Sequence, residues 1–99
     1  MAPPLKPLDP DTVRRQLEHL SGGWGIDREG HLTREYRFPD FISALRFVNE
    51  AGRLAESHQH HPDIALGWGY VRLTIWTHSA NGLTDLDFRL AEALEQLPR

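Results

Sequence analysis

Three of the chain's six histidines fall between positions 58 and 61, in the run Glu56-Ser57-His58-Gln59-His60-His61-Pro62-Asp63. A fourth, His78, follows in Ile75-Trp76-Thr77-His78-Ser79. Imidazole is the one side chain whose unperturbed pKa, about 6.5, lies near neutral pH. Several such rings around one pocket can act as acid, base and hydrogen-bond partner together. Plainer readings exist. A histidine at a helix C-terminus interacts favourably with the helix dipole, which suits His58. A metal site would draw on His58, His60, His61 and His78. No established spacing such as HExxH is present, and adjacent residues of an extended backbone point to opposite sides. No metal ligand set is therefore assigned.

Two carboxylates stand near the histidines. Glu56 lies four residues before His60, so the two share a face if a helix reaches that far. A carboxylate there would fix the imidazole tautomer; the plain alternative is a surface i,i+4 pair. Asp87 ends Thr84-Asp85-Leu86-Asp87, a form in which the last side chain can reciprocate a helix cap. Leu83 and Phe88 supply the matching staple. Asp87 also borders a leucine stripe close to the loop of His78, so it is a candidate for both jobs. Ser57 and Ser79 adjoin histidines, but no G-x-S-x-G nucleophile turn and no glycine-rich phosphate loop accompanies them.

The elements that must position these residues follow from periodicity. Asp9-Pro10 opens a helix with Val13, Leu17 and Leu20 at helical spacing, and Ser21-Gly22-Gly23 stops it. Residues 24–26 and 31–38 form a hairpin about the turn 27–30. Leu32, Tyr36 and Phe38 share one face of its second strand, and His31, Thr33, Glu35 and Arg37 the other. Asp40 starts a second helix with Phe41, Ala44, Leu45, Val48, Gly52 and Ala55 along one side, running to about Ser57. Pro62 cannot continue it and pushes His61 toward extended backbone. Strands follow at 64–66 and 70–77 around Gly67-Trp68-Gly69. Asn81-Gly82 makes a turn, and Thr84 caps a last helix carrying Leu83, Leu86, Leu90, Leu94 and Leu97. The order αββαββα predicts an α+β fold: a four-stranded, mainly antiparallel sheet with three helices on one face. Residues 1–8 are expected to be a flexible tail and 9–99 a single domain.

Eleven basic and fourteen acidic side chains, interspersed, give a formal charge of −3. That supplies no basic field for a phosphate backbone, so no nucleic acid is expected. No apolar run approaches the roughly 20 residues of a membrane span, and the first residues lack the apolar stretch of a secretory signal. With no cysteine there is no disulfide framework or thiolate chemistry. A cytoplasmic protein, with no membrane partner, is the expectation. Trp76 on the non-core face of strand 70–77, with that strand at a sheet edge, predicts self-association.

The combination Glu56-x-x-x-His60-His61-Pro62-Asp63, then Thr77-His78, then Gly82-Leu83-Thr84-x-x-Asp87-x-x-Leu90-Ala91 resembles the pterin-4a-carbinolamine dehydratases. The resemblance runs from Trp24 through the last helix. It implies dehydration of a 4a-hydroxytetrahydropterin to a quinonoid dihydropterin and water, as part of tetrahydropterin recycling, with no metal or redox cofactor. It implies His60 and His78 as the acid–base pair and His61 as a pterin-binding residue, with Pro62 shaping the turn. Glu56 and Asp87 match the family's accompanying carboxylates, and Thr77 and Ser79 its backbone-contact segment. Ile64 stands where many members carry an aromatic residue. The resemblance also implies a homodimer or homotetramer. Mammalian relatives act as dimerisation partners of a transcription factor, so a non-catalytic binding module on the same fold is the alternative.

Overall fold

The computed structural model describes residues 5–99. Part of the expected tail, residues 1–4, lies outside the described residues. Helix α1 spans Pro10–His19, capped by Asp9, whose side chain accepts from the Thr12 N–H at 2.8 Å. Strands β1 (Gly25–Ile26) and β2 (Leu32–Arg37) form the expected hairpin. Helix α2 covers Phe41–His58, strands β3 and β4 cover Asp63–Gly67 and Tyr70–Ile75, and helix α3 covers Asp85–Glu95. The sheet order is β1-β2-β4-β3 with every pairing antiparallel.

Alternation along the strands separates two faces. Leu32 and Tyr36 of β2 and Val71, Leu73 and Ile75 of β4 are buried with α2 residues Ala44, Phe47, Ala51 and Ala55 and α3 residues Phe88, Leu90, Ala91 and Leu94. Val13, Leu17 and Leu20 pack on this core from the α1 side. Burying such apolar area is the main stabilising term, at about 25 cal/mol per Å². Thr33, Glu35, Arg72 and Thr74 occupy the opposite face. The predicted three-helix, four-stranded arrangement is the one observed.

Three local expectations are corrected. The buried stripe of α2 is Ala44, Phe47, Ala51 and Ala55, whereas Phe41 is 43% exposed. Phe47 sets this rotation: its ring lies 4.7 Å from that of Tyr36 and 5.4 Å from that of Phe38, and three alanines let the helix approach the sheet. Strand β4 is interior, flanked by β2 and β3, so the free edge near the site belongs to β3. Trp76 is only partly exposed because two imidazole rings lie against it.

The core also carries a charge that periodicity did not announce. Arg34 lies on the core side of β2 and donates from Nε to Glu95 Oε1 at 2.9 Å. Trp24 Nε1 and the Tyr36 hydroxyl donate to the same oxygen at 3.0 and 2.5 Å. Burial alone would raise the Glu95 pKa. The hydrogen bonds from Tyr36 and Arg34, with the charges of Arg34 and Arg99, overcome this and hold the carboxyl below its ordinary range. Burial, then the bond to Glu95, pushes the Tyr36 hydroxyl up.

Candidate active site

Helix α2 ends because Gln59 adopts the left-handed conformation, φ 52° and ψ 37°. Its N–H and that of His60 still bond back to the Glu56 and Ala55 carbonyls, at 3.1 and 3.2 Å. The chain then leaves the helix axis in one residue, and Pro62 leads it into β3. This break undoes the expected Glu56–His60 pairing, which needed a continuing helix. Glu56 instead accepts from His61, with Nε2 to Oε2 at 2.7 Å, and both side chains are mostly exposed. Such a pair contributes about 0–1 kcal/mol and serves chiefly to orient the His61 ring.

His60 turns the other way, inward. Its Nε2 lies 2.5 Å from Oδ1 of Asp87, and the Asp87 side chain is fully buried. The other Asp87 oxygen accepts from the Thr84 N–H and the Thr77 hydroxyl, each at 2.8 Å. Thr77 and Thr84 hydroxyls also meet at 2.8 Å. Thr84 and Asp87 form the capping box expected of them, while the other Asp87 oxygen faces His60. An acceptor-only carboxylate facing Nε2 requires a proton on that nitrogen. Nδ1 is left as the ring nitrogen with no partner among the described residues.

His78 begins a single 3₁₀ turn, His78–Ala80, at the end of the loop's first limb. Thr77 and Gly82 close this loop with reciprocal backbone bonds of 2.9 and 3.4 Å. Asn81 takes the left-handed conformation, φ 51°, as the Asn-Gly pair suggested. His60, His61, Thr77, His78 and Ser79 line one surface cavity of about 520 Å³, with Gln59, Trp76, Leu86 and Leu5. That volume falls within the range of about 300–1,000 Å³ typical of small-molecule sites. Asp87 lies behind His60 rather than in the cavity wall, and neither Glu56 nor Pro62 lines it.

The two histidine segments, distant in sequence, thus converge as the acid–base reading requires. Thr77 is buried with its hydroxyl committed to Asp87, so its side chain supports the carboxylate. Trp76, Thr84 and Gln59 were not singled out as site residues. Thr84 was legible as a cap, but its bond to Thr77 depends on how α3 docks. Among the described residues no group of three or more His, Cys, Asp or Glu is placed to hold a metal ion, because His60 and His61 engage different carboxylates. No helix among them is long and apolar enough to cross a membrane.

A helix-backed antiparallel sheet with His60, His61 and His78 lining one cleft defines the class. Residues 6–97 match the model of the pterin 4 alpha carbinolamine dehydratase family, and the chain belongs to that family of hydro-lyases. A protein of Rubrobacter xylanophilus, provisionally named a pterin-4-alpha-carbinolamine dehydratase, is 45% identical over 95 residues, 96% of this chain and 85% of its own length. One from Rickettsia canadensis, named likewise, is 40% identical over 91 residues, 92% of this chain and 84% of its own. The crystal structure of a Brucella melitensis protein described as a transcriptional coactivator/pterin dehydratase superposes with a TM-score of 0.83 at 33% identity, over 91% of this chain and 96% of that one. A pterin dehydratase-like RuBisCO assembly factor of the alpha-carboxysome shares the fold at 21% identity, with a TM-score of 0.61 over 78% of this chain and 94% of its own.

Proposed function

We propose that the chain dehydrates a 4a-hydroxytetrahydropterin, with His60 and His78 as its acid–base pair. The carrying observation is that both rings line one cavity while a fully buried carboxylate fixes one of them. The C4a–O bond breaks as the hydroxyl takes a proton from one imidazolium and leaves as water. The other imidazole, neutral, removes the N5 proton, and the freed electron pair closes the C4a–N5 double bond. No net proton or electron is consumed, so the products are a quinonoid dihydropterin and water. Each properly placed general acid or base is worth about 10²–10⁴-fold. His61 binds the pterin from the rim, held by Glu56, while Ser79 and the Thr77 backbone contribute to the wall. Pro62 shapes the turn, and Asp87 positions His60. The reading places this step in tetrahydropterin recycling, in the cytoplasm.

The test uses chemically generated 4a-hydroxytetrahydropterin, whose spectral decay the purified protein accelerates. His60→Ala combined with His78→Ala should abolish that acceleration; an unchanged rate overturns the assignment. The reading also includes a homodimer or homotetramer, supported by the free edge of β3 and by Trp68, 73% exposed at the β3–β4 turn. A sedimentation profile that is wholly monomeric at micromolar concentration contradicts it. A second reading, a binding module, is favoured by the double description of the Brucella melitensis relative. Stoichiometric capture of a partner together with no pterin turnover would select it.

A further inference from the structure

His60 is held by a carboxylate, but no hydrogen bond among the described residues reaches the His78 ring. Its packing is aromatic. The imidazole lies 4.2 Å, centroid to centroid, from the Trp76 ring with an interplanar angle of 23°. His31 lies against the same indole at 4.0 Å and 3°. Two rings lying flat on one indole face at these distances would overlap each other, so His31 and His78 must cover opposite faces. Trp76 is then the middle layer of a three-ring stack.

The backbone explains why the stack forms. Leu32 pairs with Ile75 across β2 and β4, and both side chains are fully buried. The next pair along the two strands, His31 and Trp76, must therefore point to the opposite, open face. Past Trp76, Thr77 turns inward and is buried, and His78 returns to the outer side. His31 is anchored in turn. Asp27 Oδ1 accepts from the His31 N–H at 3.0 Å, and the Asp27 N–H donates to the His31 carbonyl at 2.9 Å. The His31 ring is only 15% exposed, with Glu29 Oε2 3.8 Å from its Nδ1. The hairpin turn thus fixes His31, His31 backs the indole, and the indole carries His78.

We infer that Trp76, backed by His31, is a positioning residue that fixes the plane of the His78 imidazole in the cavity. This rests on the dehydratase reading for its catalytic consequence. With both indole faces occupied, Trp76 has none to offer a pterin ring, although its edge reaches the cavity. Stacking constrains the plane of His78 while leaving both ring nitrogens unbonded, which suits a group that must exchange protons with substrate. Offset stacking of this kind is a specific aromatic preference.

The experiment compares Trp76→Leu, Trp76→Phe and His31→Ala by steady-state kinetics and by NMR of the His78 ring protons, assigned with His78→Gln. In the unaltered protein the indole ring current shifts the His78 resonances upfield. Trp76→Leu should abolish that shift and lower kcat roughly tenfold, with KM changed by less than about twofold. Trp76→Phe should restore most of both, and His31→Ala should cost about threefold in kcat. His78 resonances that stay in place in Trp76→Leu, or a folded Trp76→Leu with the original kcat, overturn the inference. Absence of turnover in the unaltered protein sinks the dehydratase reading instead, and the resonance comparison then decides the stack by itself.

Discussion

Replacing Asp87 separates its two roles. The side chain is fully buried and accepts from His60, Thr77 and the Thr84 N–H, none farther than 2.8 Å. Asp87→Ala strands all three donors. Leaving a buried donor without an acceptor costs about 1–3 kcal/mol, and several such losses against a total stability of about 5–15 kcal/mol should leave that variant poorly folded. Asp87→Asn is the informative change. Its amide oxygen can still accept from Thr84 and Thr77, keeping most of the helix cap. Its NH₂ then faces His60 Nε2, which must give up its proton and become an acceptor. The ring switches tautomer and loses a charge-assisted bond worth about 1.5–3 kcal/mol. At about 1.36 kcal/mol per decade of rate, kcat should fall by about 10–100-fold. Thermal unfolding should show a folded protein with a modestly lower Tm. Stopped-flow decay of 4a-hydroxytetrahydropterin reads the rate, and ¹⁵N shifts of His60 read the tautomer. A folded Asp87→Asn with unchanged kcat refutes the role given to this carboxylate.

Three further outcomes are expected. Glu95 has a depressed pKa in the folded state, so its stabilising contribution is present above the unfolded carboxyl pKa of about 4.3 and disappears as pH falls through the lower folded value; chemical denaturation across acid pH should show that loss, and Glu95→Gln should flatten it. Gln59→Gly relieves a left-handed residue at a helix C-terminus and should raise stability by up to about 1 kcal/mol, read as a higher Tm. Glu56→Gln should raise KM about twofold to threefold with little change in kcat, because the exposed bond to His61 only orients a binding ring; an equal fall in kcat and kcat/KM contradicts that division.

The element order, the Thr84–Asp87 box and the grouping of His60 with His78 were legible because they rest on local periodicity, capping chemistry and a specific motif. What escaped depends on distant register. Arg34 sits on the core side only because Glu95, at the far end of α3, receives it. Trp76 finds His31 only because β2 and β4 pair in one particular register. The Glu56 partner was misassigned because nothing in the residue type announces that Gln59 turns left-handed.

Asp87 sits on the last helix, whereas every imidazole of the cavity precedes it in the chain. During synthesis the ribosome releases His60, His61 and His78 before the segment that anchors His60 can dock. The nascent polypeptide therefore holds His60 without its buried partner until α3 has emerged and packed onto the sheet, whereas the Glu56 contact of His61 and the Trp76 contact of His78 come from segments already made.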